Sequence, residues 1–482
     1  MTVRWTGRRP GSTTGTPPVR RAVRTAKLAG LPVAFAGRQA AGIGKRARGR
    51  TAAEIDLDIQ MRTAQHIFEV LGELKGCAAK LGQLLSIFEL ALPHGAAEPY
   101  RHALTRLQEA APIMLPATVR DAMAAGLGND WHDNFRAFDD KRAAGASIGQ
   151  VHRGIWRDGR PVAVKVMYPG VRASVLDDLD QLRRVSVLAS VFFPAADVKP
   201  ITEAVCSGIA AELDYATEAD TQRRFAATYA DDPDFVVPRV TAQRGDVIVT
   251  EWLTGTPVSR ILDSGAPEER SRVGMLIARF VLSSGVRTGW AYCDPHPGNF
   301  RVLPDGRLGV VDFGACAPWP PADFGDLVTD VVGATVNGLP HQLEIAFRRH
   351  GFAAAGRPIE LEPLAEALRM VLEPLMTPTF RIDADWLRRQ VRRFMEPRLS
   401  NANRQLTAPP ALVPFGRAVL TLMGVAAQLG TEGPIRTEIA RWVPEVAAVL
   451  ERYDACHANP TDLGIARHLR SVPATGRRSE AG

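Results

Sequence analysis

The sequence is poor in cysteine and contains no long, unbroken apolar run. Its 482 residues include five cysteines, none of them in a C-x-x-C pair. They are too few for a disulfide framework and fit a reduced compartment. The apolar stretches 28–44 and 418–429 are broken by Gly, Pro or Arg, or are shorter than the roughly 20 residues that span a bilayer. These absences predict no transmembrane segment and a cytoplasmic protein, or one peripheral on the inner face of the membrane.

Acidic residues are absent from the first 50 positions, which contain twelve lysines and arginines. Since the whole chain carries a net charge of +7, the rest of the sequence is net acidic. A basic arm on an acidic body predicts no nucleic-acid partner. It indicates either a solvated leader or attraction to membrane lipid or an anionic membrane surface.

The hydrophobic period changes along the chain and divides it into six stretches. These are a basic, partly disordered arm (1–50), a helical extension (51–130), a lobe with short strands (131–255), the core of a helical lobe (256–345), a helical C-terminal region (346–470) and a frayed tail (471–482). Strands are expected at 150–156, 161–167, 235–240 and 247–253, a strand–turn–strand at 300–311, and one helix from about 202 to 229. This order predicts an α+β, two-lobed fold with a mostly helical C-terminal lobe.

A lysine in the second expected strand has the setting of a phosphate-binding lysine. Val162-Ala163-Val164-Lys165 follows the turn 157–160, whose Asp-Gly pair is a strong hairpin signal. In protein kinases a V-A-I-K strand places its lysine on the α- and β-phosphates of ATP. Alone the tetrapeptide is weak evidence, because most lysines at strand ends are simply exposed.

Two motifs downstream complete the pattern. Asp294 and Asn299 have the D-x4-N spacing of a kinase catalytic loop, in which the aspartate orients the attacking hydroxyl group and the asparagine binds metal. Asp312 opens an Asp-Phe-Gly sequence just after the expected strand pair, where an aspartate ligates the Mg²⁺ that bridges the β- and γ-phosphates. The motifs together predict a site for ATP or ADP and Mg²⁺. Lys165 and Asp294 are its catalytic residues, and Asn299 and Asp312 hold the metal.

Three acidic residues on the expected helix 202–229 are candidates to brace Lys165. On one continuous helix Asp214 and Glu218 share a face, whereas Glu212 lies roughly 120° away from Glu218. We favour Glu218 for the ion pair with Lys165 and count it with the catalytic residues. Glu212 and Asp214 are left for another contact, and the alternative for all three is a solvated helix surface.

The expected phosphate-covering loop between the first two strands is rich in alanine where kinases have G-x-G-x-x-G. Its expected ATP contacts are Ala144, Gly145, Ala146 and Ser147. Small side chains allow close approach of the backbone, but alanine disfavours positive φ. Ser147 is a candidate either to donate to a phosphate oxygen or to cap a turn. At the end of the strand 247–253, Glu251 and Leu253 are further candidates for contact with ATP.

Three features together make the sequence resemble the UbiB/ADCK (AarF-domain) atypical kinases. They are the alanine-rich loop, the E-x-D of Glu212 and Asp214, and Lys80-Leu81-Gly82-Gln83, which matches the K-x-G-Q signature of that family. The resemblance implies a protein-kinase-like fold whose N-terminal K-x-G-Q extension folds over the active site. It implies that Lys80 and Gln83 reach Glu212 and Asp214 and occlude a peptide-substrate groove. It also implies atypical kinase or ATPase activity in isoprenoid-quinone or other membrane lipid metabolism, with lipid-biosynthesis enzymes as candidate partners.

The sequence departs from the kinase and family patterns at three places. No A-P-E follows the Asp-Phe-Gly sequence, which argues against a conventional platform for peptide substrates. Tyr292 precedes Cys293 and Asp294 where the family has histidine, so the loop is expected to be braced differently. Gly145 stands where the family has alanine, so the family's nucleotide preference does not carry over.

Two other functions stay open alongside the atypical kinase or ATPase. One is a nucleotide-gated protein that binds or presents a lipid with little phosphotransfer. The other is a small-molecule kinase of the aminoglycoside or choline type, which shares the D-x4-N spacing but lacks the K-x-G-Q extension. Cys293 and Cys316, next to the two motifs, are either redox-sensitive thiols or small buried hydrophobic residues.

Overall fold

The computed structural model describes residues 113–186, 197–353, 359–394 and 406–458. The predicted basic arm, most of the helical extension with Lys80 and Gln83, and the predicted frayed tail lie outside these residues. The described elements form two lobes of mixed helix and sheet, as the α+β, kinase-like prediction requires.

The first lobe contains a five-stranded antiparallel sheet. The helices around it are α1 (Pro116–Leu127), α2 (Val171–Val185), α3 (Val198–Ala211) and α4 (Tyr215–Thr228). The strands of this part of the chain are β1 (Phe135–Gly145), β2 (Gly149–Trp156), β3 (Pro161–Met167), β4 (Phe235–Val236), β5 (Val240–Arg244) and β6 (Val247–Glu251). Their order in the sheet is β1-β2-β3-β6-β5, and β4 belongs to the second lobe.

Successive side chains of β3 point alternately to the hydrophobic core and to the cleft. Val164 and Val166 are fully buried and pack with Val119 of α1 in one hydrophobic cluster. Ala163 and Lys165 alternate with them and face the cleft between the lobes. The alternation that stabilises the sheet therefore also delivers the lysine to the cleft.

The second lobe begins with short strands around a long helix. In chain order its first elements are β7 (Thr256–Pro257), α5 (Val258–Ser264), α6 (Pro267–Thr288), β8 (Trp290–Tyr292), β9 (Phe300–Val302), β10 (Leu308–Val310) and β11 (Cys316–Pro318). One small sheet has the order β4-β10-β9-β7, and β8 pairs with β11 in another. The predicted strand–turn–strand at 300–311 is the antiparallel pair of β9 and β10.

The rest of the described chain is mostly helical. Its elements are α7 (Phe324–Val336), α8 (Pro340–Arg349), α9 (Leu361–Val371), β12 (Phe380–Ile382), α10 (Ala384–Phe394), α11 (Val413–Leu429), β13 (Thr431–Gly433), α12 (Ile435–Trp442) and α13 (Pro444–Ala458). α11 packs along α6 where Thr431, just beyond it, occupies the space next to Gly274. A Cβ atom at position 274 would lie 1.9 Å from the Thr431 hydroxyl oxygen, so this close approach requires glycine.

An aromatic cluster joins the elements that carry the motifs. Phe280 of α6 packs at a tilted angle against Phe225 of α4 and edge-on against Tyr292 of β8 and Phe300 of β9. Phe313, next to Asp312, lies 4.9 Å from Phe225 of α4 and 5.8 Å from Tyr292 of β8, measured between ring centroids. Buried aromatic rings of this kind supply much of the apolar burial of a core. The cluster therefore fixes the segments before Asp294 and after Asp312 against the helix that carries Glu218.

The prediction of one helix from about 202 to 229 is wrong. The chain forms two helices, α3 and α4, that are separated at Glu212–Asp214. Asp214 is the N-cap of α4, with its side chain accepting the N–H groups of Ala216 at 3.0 Å and Thr217 at 3.3 Å. A short acidic side chain competes well for these N–H groups and starts a new helix there. The angular argument that placed Glu212 relative to Glu218 therefore does not apply.

The strand expected at 235–240 is also two strands. β4 pairs with β10 in the second lobe, whereas β5 pairs with β6 in the first. Pro238 lies between them and cannot donate a backbone hydrogen bond, so the ladder stops there. The segment is thus a connection between the lobes.

The apolar run near the end of the chain is longer than the sequence indicated. The helical stretch Pro410–Leu429 has 20 residues and a mean hydropathy of 1.5, and 39% of its apolar window is buried. This longer stretch is long and apolar enough to cross a membrane by length and composition alone, whereas the run 418–429 within it is not. Core helices of water-soluble proteins pass the same criterion.

Candidate active site

A cleft of about 650 Å³ between the two lobes gathers nearly all of the predicted site residues. The predicted residues that line it are Ala144, Gly145, Ala146, Ser147, Lys165, Glu212, Glu218, Glu251, Leu253, Asp294, Asn299 and Asp312. Asp214 is not in its wall, because its side chain caps α4. The predicted contacts of Lys80 and Gln83 lie outside the described residues.

Lys165 lies between two carboxylates. Its Nζ atom is 2.7 Å from Oε1 of Glu218 and 3.2 Å from Oδ2 of Asp312, and it lies 5.1 Å from the centre of the Tyr215 ring. Burial alone would lower the pKa of Lys165, but the Asp312 and Glu218 charges hold that pKa well above its usual value. Lys165 is therefore a fixed positive charge in the cleft.

Glu218 is more deeply buried than its partner. Its side chain is 3% exposed, and its Oε2 atom is buried and accepts no hydrogen bond from the described part of the chain. Burial raises the pKa of Glu218 to about 7, against the opposing effect of the Lys165 ammonium group and with a contribution from Asp312. The carboxyl group therefore titrates close to neutral pH.

The catalytic-loop segment is held by hydrogen bonds of its own backbone. The backbone oxygen of Asp294 accepts the N–H of His296 at 2.7 Å and the side-chain amide of Asn299 at 3.0 Å. Nδ1 of His296 accepts the N–H of Gly298 at 3.2 Å, which closes the turn. The carboxylate of Asp294, on a residue only 9% exposed, faces the cleft. The hydrogen bonds within residues 294–299 thus hold the backbone of Asp294 and the side-chain amide of Asn299 in place.

Oxygen atoms suited to a hard cation meet at the floor of the cleft. Asp312 accepts the N–H of Gly314 through Oδ1 at 3.0 Å, which orients its carboxylate. The Nδ2 atom of Asn299 is used within the loop, so its amide oxygen is the atom that a metal would use. Mg²⁺ prefers one or two protein oxygen ligands together with phosphate and water. No group of three or more His, Cys, Asp or Glu residues that could hold a metal ion gathers within residues 113–186, 197–353, 359–394 and 406–458.

The phosphate-covering loop is shorter than the sequence suggested. β1 continues to Gly145 and β2 begins at Gly149, so the loop is 146–148, closed by a hydrogen bond from the Ala146 N–H to the Gly149 oxygen at 2.9 Å. Gly145 is not among the positive-φ glycines, and a Cβ atom there would meet only Arg142, at 3.9 Å. An alanine therefore fits at position 145. At Gly149 a Cβ atom would lie 2.3 Å from the Val166 oxygen, so that glycine is needed.

Arg417 is a site residue that the motifs did not reveal. It stands on α11, far along the sequence, and its Nε atom lies 3.3 Å from the backbone oxygen of Cys293, while its Nη atoms lie 3.4 Å from Oε1 of Glu212. Its side chain is 16% exposed. The only available signal was a single charged residue within an apolar helical run, since a buried arginine almost always has a partner.

Cys293 is buried in a hydrophobic cluster, and Cys316 is partly buried against another, close to the acidic residues of the cleft. Burial raises the pKa of the Cys293 thiol to about 12 and raises that of Cys316 well above its usual value. Reactive cysteines instead have a lowered pKa and partial exposure. The structure favours the interpretation of these residues as small hydrophobic side chains.

Comparison with known proteins agrees with this geometry. Residues 106–338 match the ABC1 atypical kinase-like domain. The atypical kinase COQ8B, mitochondrial, of Danio rerio is 29% identical over 331 residues, which cover 67% of this chain and 52% of that protein. The uncharacterized protein slr0889 of Synechocystis is 30% identical over 295 residues, which cover 58% of this chain and 71% of that protein.

A solved structure extends the similarity over more of the chain. The Rv3197–erythromycin complex from Mycobacterium tuberculosis has 34% sequence identity and a TM-score of 0.60, and the match covers 82% of this chain and 100% of that one. By contrast, the chain spans about half the length of the COQ8 relatives, 52% of the Danio rerio protein and 43% of the Caenorhabditis elegans protein. The domain match, the identity to these proteins and the shared kinase-like fold show that the chain belongs to the UbiB/ADCK family of ABC1 atypical kinase-like proteins.

Proposed function

We propose that the chain is an ATP- and Mg²⁺-dependent atypical kinase or ATPase. The observation that best supports this is the position of the Lys165 ammonium group, within hydrogen-bond distance of both Glu218 and Asp312 in one cleft. In protein kinases a lysine paired with a helical glutamate, next to a metal-binding aspartate, must be in place before phosphoryl transfer. Membership of an atypical kinase family agrees with the proposal.

The residues of the cleft divide into three roles. Lys165 holds the α- and β-phosphates, and Glu218 fixes the position of its ammonium group. The carboxylate of Asp312 and the amide oxygen of Asn299 hold the metal ion. Mg²⁺, when bound, neutralises charge on the β- and γ-phosphates. The loop 146–148 covers the phosphates. The small side chain of Ser147 allows the backbone N–H groups of Ser147 and Ile148 to come close to them, because the N–H of Ala146 is already bonded to Gly149.

Asp294 is the proposed base. It lines the same cleft as the proposed metal ligands, and its backbone oxygen accepts hydrogen bonds from His296 and Asn299. It accepts the proton of an attacking hydroxyl group, or orients a water molecule when no acceptor is bound. Charge stabilisation and positioning supply most of the rate enhancement in phosphoryl transfer. A fixed carboxylate of this kind therefore suffices for slow hydrolysis as well as for transfer.

The resemblance to the UbiB/ADCK proteins supports a role of this chemistry in isoprenoid-quinone or other membrane lipid metabolism. The curated relatives include mitochondrial atypical kinases named COQ8 from animals and yeast. The basic first 50 residues are suited to an anionic membrane surface. We therefore propose a peripheral protein on the inner face of a membrane, acting on or beside a membrane lipid.

A second candidate function is nucleotide-controlled binding of a large apolar molecule. The match to the Mycobacterium tuberculosis protein covers 100% of that protein's chain, and its structure is described as a complex with erythromycin. In this function ATP binding changes the affinity for the second ligand and little phosphate is transferred. Product analysis separates the two candidates.

Asp312→Asn tests the nucleotide chemistry. The wild-type protein is expected to bind Mg·ATP and hydrolyse it slowly. The substitution removes the charge of one metal ligand and is expected to lower the rate by about 100-fold. Asp305→Asn is the matched control, because Asp305 is exposed in the turn between β9 and β10 and is expected to retain the wild-type rate. Unchanged Mg·ATP binding and hydrolysis in Asp312→Asn would contradict the metal assignment.

The acceptor is identified by incubating the protein with Mg·ATP and lipid extract, followed by intact-mass and thin-layer analysis. A phosphorylated lipid supports kinase chemistry on a membrane substrate. Hydrolysis that anionic liposomes stimulate, with no phosphorylated product, supports an ATPase coupled to lipid. A ligand whose affinity depends on ATP, without turnover, supports the second candidate.

A further inference from the structure

Arg301 is a partly buried arginine in the wall of the cleft to which the proposed chemistry assigns no role. It lies in β9 and lines the same cleft as Asn299, which ends the short turn just before that strand. Its Nη1 atom donates to the backbone oxygen of Gly255 at 3.3 Å. No carboxylate of the described residues forms an ion pair with it, and burial alone lowers its pKa. A guanidinium group with most of its donors unused is thus held inside the proposed ATP cleft.

The cleft has a charged end and an apolar end. The charged end contains Lys165, Asp294 and Asp312. The apolar end begins at Val151, the cross-strand partner of Lys165, and continues through Ala163 of β3 to Leu253 between the lobes. Phosphates and metal belong at the first end, so the aromatic base of a nucleotide belongs at the second.

Arg301 lies at the apolar end, on the opposite side from the first-lobe sheet. Its Nη1 atom is 3.3 Å from the backbone oxygen of Gly255, in the segment that connects the two lobes. Its guanidinium carbon is 5.9 Å from the centre of the Trp252 ring, which immediately precedes Leu253. The planar guanidinium group of Arg301 therefore lies on the second-lobe side of the apolar end, where it can contact one face of a bound base.

We propose that Arg301 is a base-binding residue whose guanidinium plane stacks on the face of the bound nucleotide base, opposite Val151 and Ala163. The inference rests on the proposed ATP function. Guanidinium groups stack on aromatic faces, and the interaction strengthens when both partners are removed from water. A stacked cation does not read the edge of the base, so adenine and guanine nucleotides both gain from it.

The inference predicts a loss that depends on the base and not on the phosphates. Arg301→Ala is expected to weaken ADP and ATP binding by about tenfold, with a similar factor for GTP. Binding of Mg·tripolyphosphate, which has no base, is expected to stay within about twofold of wild type. Arg301→Met, which keeps an unbranched stem without the charge, provides a second variant if the alanine variant is poorly folded.

Arg153→Ala is the matched control. Arg153 lies over the same Trp252 ring, with its guanidinium carbon 5.4 Å from the ring centre, but it is exposed and is not part of the cleft wall. It is expected to bind every ligand like wild type, so a loss confined to Arg301 variants cannot come from disturbed Trp252 packing.

The measurement is calorimetric titration of the full chain with ADP, ATP, GTP and Mg·tripolyphosphate, for wild type and the three variants. A base-dependent loss in the Arg301 variants alone supports the inference. Wild-type ADP affinity in Arg301→Ala and Arg301→Met, or an equal loss for tripolyphosphate, overturns it. A wild-type protein that binds none of these ligands instead overturns the proposed ATP function.

Discussion

Glu218 combines deep burial with a position next to the charges of the cleft. Burial raises its pKa to about 7. The Lys165 ammonium group opposes this increase, whereas the Asp312 and Glu212 carboxylates add to it. Tyr215 lies beside Lys165. Because the ionised form of Glu218 fixes the Lys165 ammonium group, protonation weakens the brace. Hydrolysis of Mg·ATP is therefore expected to rise with pH through about 7. Glu218→Gln is expected to have a low rate without that inflection, as a pH–rate profile will show.

The same residue predicts a pH dependence of stability, with the sign set by its raised pKa. Between about pH 4.5 and 7 the folded protein binds the Glu218 proton more tightly than the unfolded chain does. The contribution of Glu218 to the free energy of unfolding therefore increases as the pH falls through this window, by up to about 1.4 kcal/mol per pH unit. Urea unfolding of wild type and Glu218→Gln at several pH values isolates this contribution. Parallel pH dependences would contradict it.

At the scale of elements, the start of α4 positions Glu218. Asp214 caps the helix, and Glu218 lies in its first turn. Asp214→Ala is expected to lower the free energy of unfolding by about 1 kcal/mol and to lower the hydrolysis rate, because the turn that carries Glu218 frays. Asp214→Ser, which retains a capping oxygen, is expected to stay close to wild type in both measurements.

Asp220→Ala controls for the loss of an acid on the same helix. Asp220 is 77% exposed and pairs with Arg223 at the surface, so its removal is expected to change the free energy of unfolding by less than about 0.5 kcal/mol. A hydrolysis rate in Asp214→Ala equal to that of Asp220→Ala would show that the cap does not position Glu218.

Elements that follow from short-range signals could be predicted from the sequence, and those set by competition between neighbours could not. The Asp-Gly turn predicted the hairpin of β2 and β3, with Lys165 on its second strand. The break at Glu212–Asp214 was missed, because Asp214 is compatible with a helix interior and only its bonds to the following N–H groups reveal a cap. Pro238 indicates in the sequence that the strand is interrupted. It does not indicate that the two halves belong to different sheets.

Contacts between distant parts of the chain could not be predicted from the sequence, for a different reason. Spacing within a motif predicts which residues share a loop, such as Asp294 and Asn299. Nothing in the order of residues indicates that α11 returns to the cleft, because helix packing depends on the shapes of both surfaces. Arg417 acquires its position only through such packing.

At the scale of the whole molecule, Arg417 connects the C-terminal helices to the active site. It contacts the residue before Asp294 and the Glu212 carboxylate at the end of α3, so one guanidinium group joins three parts of the chain. Arg417→Met is expected to lower the free energy of unfolding by about 3 kcal/mol, because Glu212 loses a partner in a buried setting. It is also expected to lower kcat more than it raises KM for ATP, since the catalytic loop is affected and the base end of the cleft is not.

Arg441→Ala is the matched control for Arg417→Met. Arg441 is a 56% exposed arginine in the same C-terminal region, 3.7 Å from Glu438, and its loss is expected to change stability by less than about 0.5 kcal/mol. Glu212→Gln combined with Arg417→Met completes a double-mutant cycle, and a coupling energy above about 0.5 kcal/mol is expected for direct contact. Additive effects of the two substitutions, with kcat unchanged in Arg417→Met, would mean that α11 stabilises the lobe without positioning Asp294.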